Sequence, residues 1–135
     1  MHGEAVGIGT LLTARKYHQL AAMTPKIKPF VPLDEQTIRQ QFGPLADGIL
    51  VENKNDVLTT FESQRIVDHW DSIRSLIASI PTEEQYMDLY RRLGAPVSLA
   101  DAGLDDSRWE EIYTMSAAVR NRLTLNRMCR VLNFV

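Results

Sequence analysis

The stretch Thr82-Glu83-Glu84-Gln85-Tyr86-Met87-Asp88-Leu89-Tyr90-Arg91-Arg92-Leu93-Gly94-Ala95-Pro96 decides the fold class, because every step of it belongs to one α-helix. Thr82 and Gln85 stand three residues apart, the spacing at which a hydroxyl and a side-chain amide satisfy each other's free backbone N–H groups at a helix start. Tyr86, Leu89, Tyr90 and Leu93 recur at steps of three and four, which makes them the expected inward stripe. Gly94 followed by Pro96 ends the helix.

Upstream, Ile66, Trp70, Ile73, Ile77 and Ile80 repeat the same steps and predict one face of a long helix beginning near Asp56 and stopped by Pro81. Downstream, Asp105, Asp106 and Ser107 offer caps for a helix with Trp109, Ile112, Ser116 and Val119 on one side. Thr124 caps a last helix through Leu132. At the other end, Gly3 to Met23 reads as a single helix. Its first half is uncharged after Glu4, so burial all round is expected. Gly7 and Gly9 each cost about 1 kcal/mol relative to Ala inside a helix, which predicts a close approach of another backbone. Pro25, Pro29 and Pro32 make Thr24 to Leu33 an extended surface connector. Asp34 caps a short helix to about Phe42, ended by Gly43-Pro44, and residues 44–55 show no clear period. No alternating apolar and polar run is bounded by hairpin turns. The expected fold class is all-α, a single helical domain over residues 1–135.

The 135 residues, 44% hydrophobic and 24% charged, suffice for a globular core. A net charge of -2 argues against nucleic acid as partner, since phosphate backbones are held by clustered excess Lys and Arg. The single Cys129 makes no internal disulfide, and no signal peptide stands at the start, so a cytoplasmic location is expected. The most apolar window, Ala5 to Ala14, is far shorter than the ~20 residues needed to span a bilayer, so no membrane association is expected.

Three stretches carry a resemblance: His2-Gly3-Glu4-Ala5-Val6-Gly7-Ile8-Gly9-Thr10-Leu11-Leu12, then Leu93-Gly94-Ala95-Pro96 with Leu99-Ala100-Asp101-Ala102-Gly103-Leu104, and Val119-Arg120-Asn121-Arg122-Leu123-Thr124. In this order they resemble the C-terminal helical domain of the glycerol and glycerol-1-phosphate dehydrogenases, relatives of dehydroquinate synthase and the iron-containing alcohol dehydrogenases. The glycerol-1-phosphate branch is the nearer likeness. The resemblance implies that His2 is a ligand of a catalytic divalent metal (Zn, Ni or Fe), and that the intact enzyme uses NAD(P) to interconvert dihydroxyacetone phosphate and glycerol 1-phosphate. The family's nucleotide-binding α/β domain, and the aspartate and second histidine that complete its metal site, have no counterpart here. The expectation is therefore a metal-side helical portion, inactive alone, with no cofactor held tightly. A missing nucleotide-binding half and further copies of the chain, met through exposed helix faces, are its expected partners.

The other chemistry-bearing residues have plainer readings. Glu4 suits a helix N-terminus. His18 and His69 lie in predicted helices without a ligand-spaced partner. Arg120, Arg122, Arg127 and Arg130 could grip phosphate through paired donors, yet at helical spacing they do not share one face, and arginine is common near helix ends. Cys129 has no base nearby in sequence and reads as packing. The competing functional reading is a free-standing helical oligomerisation or protein-interaction module.

Overall fold

Twenty residues from His2 to Ala21 form α1, whose buried side chains are Ile8, Leu11, Leu12, Ala14 and Leu20. The computed structural model describes residues 2–135. The chain divides into two units. One is the segment up to Thr24 with His69–Tyr113, the other Pro25–Asp68 with Thr114–Val135.

In the first unit α1 packs against α5 (Trp70–Ala78) and α6 (Glu83–Leu93). Ile8, Leu12, Leu99 and Tyr113 make a buried cluster, flanked by Trp109 and Ile112. Trp70 is buried, and its indole N–H donates to the Met23 carbonyl at 2.9 Å, which keeps the polar edge of a large apolar ring satisfied. At the start of α6 the Thr82 hydroxyl accepts from the Gln85 N–H at 3.3 Å, while the Gln85 amide oxygen accepts from the Thr82 N–H at 2.8 Å. At its end Gly94 takes φ 66°, a left-handed conformation that a Cβ would disfavour. Arg15 of α1 ties to the same helix by paired bonds to Glu83, with its guanidinium 4.6 Å from the Trp109 ring. The loop after α6 is held by carboxylates: Asp101 accepts from the N–H groups of Val97 and Ser98, and Asp106 from Leu99 and Ala100.

In the second unit Asp34 caps α2 (Glu35–Phe42) by accepting from the Thr37 N–H at 2.8 Å. A turn over Gly43–Leu45 leads to α3 (Ala46–Glu52). Ile38, Ala46, Ile49 and Ala118 form one core, and Leu58, Val131 and Leu132 another. β1 (Pro25–Ile27) runs antiparallel to β2 (Leu132–Phe134), with Ile27 opposite Leu132. The short helices α4 (Gln64–Asp68) and α8 (Leu125–Met128) complete this unit, and α7 (Trp109–Ser116) contributes residues to both.

The fold is mainly helical, and the departures from expectation have identifiable causes. α1 is not buried all round: His2 to Val6 are exposed, and Val6 keeps 55% of its surface. The expected connector at Thr24 is in part a strand, with Pro25 buried at the first strand position, where its missing donor costs no ladder bond. The long helix expected from Asp56 is instead three pieces, a turn at Val57–Thr59, α4, and α5 after a break at His69. Its apolar stripe does point inward, but Ile66 packs in the second unit while Trp70 and Ile77 are buried in the first. The helix capped by Asp105 ends at Ser116, which leaves Val119 exposed. The last helix stops at Met128, because Leu132 is taken up by β2. No described helix is long and apolar enough to cross a membrane.

Candidate functional site

His2 stands in the first turn of α1 and is exposed. Directly after it begins an open groove of about 490 Å³ in the first unit, lined by Gly3, Glu4, Val6, Gly7 and Thr10 of α1 and by Tyr90, Leu93, Ala95 and Pro96. The floor of this groove is set by α1 against α6. A Cβ built on Gly7 would lie 3.4 Å from the Tyr90 ring, so this glycine lets an aromatic side chain come close. The close approach expected from sequence is thus to a side chain. Gly9 has no heavy atom within 4 Å of the same construction and faces open space.

A catalytic metal site is built from three protein ligands and an open position. Among the described residues no group of three or more His, Cys, Asp or Glu side chains stands together in a metal-holding arrangement. His2 by itself does not make a metal site. His18 lies elsewhere on α1, its Nε2 3.0 Å from the Ile80 carbonyl oxygen, a structural bond to the end of the α5 segment. His69 is exposed at the break between α4 and α5.

The four arginines divide. Arg120 and Arg122 are exposed, whereas Arg127 is 1% exposed and Arg130 only partly so. Arg127 donates to the carbonyls of Ala117 at 2.7 Å and Arg120 at 3.1 Å and to the Asn53 side chain, and it lies 3.2 Å from the Asp56 carboxylate. Arg130 donates to Asp56 at 2.7 Å and to the Val31 carbonyl at 2.8 Å, with its guanidinium 5.0 Å from the Phe30 ring. Two buried donors, Nε of Arg127 and Nη2 of Arg130, have no hydrogen-bond partner. Burial works against ionisation of Asp56, but the Leu58 N–H and the two guanidinium groups outweigh it and hold the carboxyl below its ordinary value. Burial likewise lowers the Arg127 pKa, opposed by Asp56, although an arginine stays charged in any case.

This cluster binds the second unit together from within. One guanidinium nitrogen of Arg127 is spent on backbone carbonyls released at the end of α7, which is the work of a structural arginine. Asn53 and Asp56, its acceptors, carry no mark in the sequence beyond lying in a polar run before a turn. Beside it a cavity of about 210 Å³ is lined mostly by apolar side chains, with Thr37, Asn126, Cys129 and Arg130 among them. Comparison with protein-family models, with curated proteins and with solved structures finds no match to this chain.

Proposed function

We propose that this chain is the helical, metal-side part of an NAD(P)-dependent polyol dehydrogenase resembling the glycerol-1-phosphate dehydrogenases, inactive in isolation. The reading is carried by one observation: His2 is exposed in the first turn of a twenty-residue helix, immediately ahead of the groove that Gly3, Gly7 and Tyr90 help to line. A histidine so placed is fixed by a rigid element yet open to a second body, as a ligand shared with another segment must be. In this reading His2 is one ligand, and the aspartate and second histidine come from another segment. The open flank of α1 at Gly9 and the exposed Val6 suit contact with that second body. In this reading the chain's own contribution is a wall for the substrate cleft, and the nicotinamide is bound elsewhere.

The test joins the chain to the nucleotide-binding half of a glycerol-1-phosphate dehydrogenase that brings an aspartate and a histidine ligand. The hybrid is expected to retain a divalent metal through gel filtration and to reduce dihydroxyacetone phosphate with a nicotinamide. His2→Ala in the hybrid should lose most of the metal, with activity falling at least a hundredfold, on the order of 3 kcal/mol of transition-state stabilisation. The helical circular dichroism should be unchanged. A His2→Ala hybrid that keeps both metal and turnover removes His2 from the site. A second reading, an interaction module, is favoured by the exposed leucines of α6 and takes precedence if the folded hybrid binds no metal at all.

A further inference from the structure

Arg127 and Arg130 bring two guanidinium groups into the second unit, and Asp56 is the carboxylate that both meet, at 3.2 and 2.7 Å. The three together carry one positive charge in excess where little water reaches. Glu52, the next acid that Arg127 senses, is exposed and accepts from the Asn121 N–H, so solvent screens its pull. Burial depresses the Arg127 pKa, Asp56 opposes that, and Arg130 adds its repulsion to the burial. Arg130 spends Nε on the Val31 carbonyl and Nη1 on Asp56. That leaves Nη2, closed off from solvent and without a partner among the described residues. A buried donor so placed is costly, and a charged one more so.

The same arginine stands in the wall of the cavity of about 210 Å³. Leu33 and Ile38 on the α2 side, and Met115, Ala117 and Ala118 around the end of α7, make most of that wall apolar. The other ionised side chain in it, Asp34, is exposed, and its carboxylate is engaged by the Thr37 N–H and hydroxyl. An apolar cavity of about 150 Å³ already holds benzene, so this one has room for a single ring with one small substituent. We propose that the cavity binds a small apolar monocarboxylate about the size of benzoate, its body against Ile38 and Ala118 and its carboxylate on Arg130. The ligand supplies the anion that the cluster lacks and an acceptor for Nη2, which the guanidinium brings within reach by shifting toward the cavity on binding. Arginine suits this task because its paired donors match the two oxygens of a carboxylate. The inference concerns the second unit alone and stands apart from the dehydrogenase reading.

Titration of the full chain with sodium benzoate, followed through the NMR signals of its amide groups, tests the proposal. Benzamide, a neutral body of nearly the same shape, is titrated beside it. Benzoate should bind about tenfold more tightly than benzamide, with the largest shifts at Ile38, Ala118 and Cys129. Ala117→Leu, at a half-buried position in the wall, should fill the cavity and abolish binding of both. Arg130→Gln leaves Asp56 paired with Arg127 alone, which removes the excess charge, and should bring benzoate down to the level of benzamide. Circular dichroism checks that each variant folds. If either variant misfolds, the two ligands compared on the unsubstituted chain, and the place of their shifts, still decide. Equal affinity for benzoate and benzamide, shifts lying away from the cavity, binding untouched by a folded Ala117→Leu, or no binding of benzoate up to about 10 mM overturns the proposal.

Discussion

Asp56 balances two guanidinium groups where little water reaches, with its side chain 10% exposed beside Arg127 at 1% and Arg130 at 15%. Removing the carboxylate leaves both cations uncompensated, and Asp56→Ala should cost the second unit about 3–5 kcal/mol, measured as a lowered urea midpoint in peptide dichroism. Asp56→Asn keeps the shape and lacks the charge, which separates packing from electrostatics. Because the folded-state pKa of Asp56 lies below an unfolded value of about 3.9, its contribution is complete above that pH and is lost as the pH falls through the folded pKa. The unsubstituted chain should therefore lose more stability than Asp56→Asn between about pH 5 and pH 2. Equal slopes for the two would show that the carboxylate is not ionically engaged. Arg127, by contrast, stays charged across this range and adds no slope of its own.

At the scale of elements, α6 owes its definition to local signals that need no tertiary partner. Thr82→Ala removes the hydroxyl half of its capping box and should lower stability by about 1 kcal/mol, visible as a lower thermal midpoint. Gly9→Ala should act in the other direction. The position lies inside α1 and a Cβ there meets nothing, so helix propensity alone should add about 0.5–1 kcal/mol. A loss of stability in that variant would mean that something the isolated helix does not reveal occupies the site. These two elements also explain what could be read from sequence. Caps and the Gly94 stop are encoded within one helix, and α2 and α6 were legible to the residue at their starts. That Leu89 and Leu93 stay exposed depends on what packs over α6, which no periodicity reports. The strands failed for a related reason: three residues each are too few for an alternation to register, and their pairing joins Pro25 to Phe134 across almost the whole chain.

For the molecule as a whole, the candidate site was legible only where it is local. His2 could be singled out by its neighbours in sequence, whereas Asn53, Asp56 and Arg127 come together across more than 70 residues of chain. The sequence pairs no charges at that distance, and of the basic run at Arg120–Arg130, read as a phosphate grip or as helix-end arginines, Arg127 is buried and Arg130 partly so. The two units have separate cores and separate polar anchors, Arg15 with Glu83 in one and Asp56 with its arginines in the other. The chain's two tryptophans, Trp70 and Trp109, both belong to the first unit. Ultraviolet-excited indole emission consequently watches only one half of the chain, while peptide dichroism watches both. Weakening the second unit through Asp56→Ala should shift the dichroism curve in urea and leave the emission curve in place, splitting one apparent transition into two. Curves that move together would mean that the two units melt as one cooperative body.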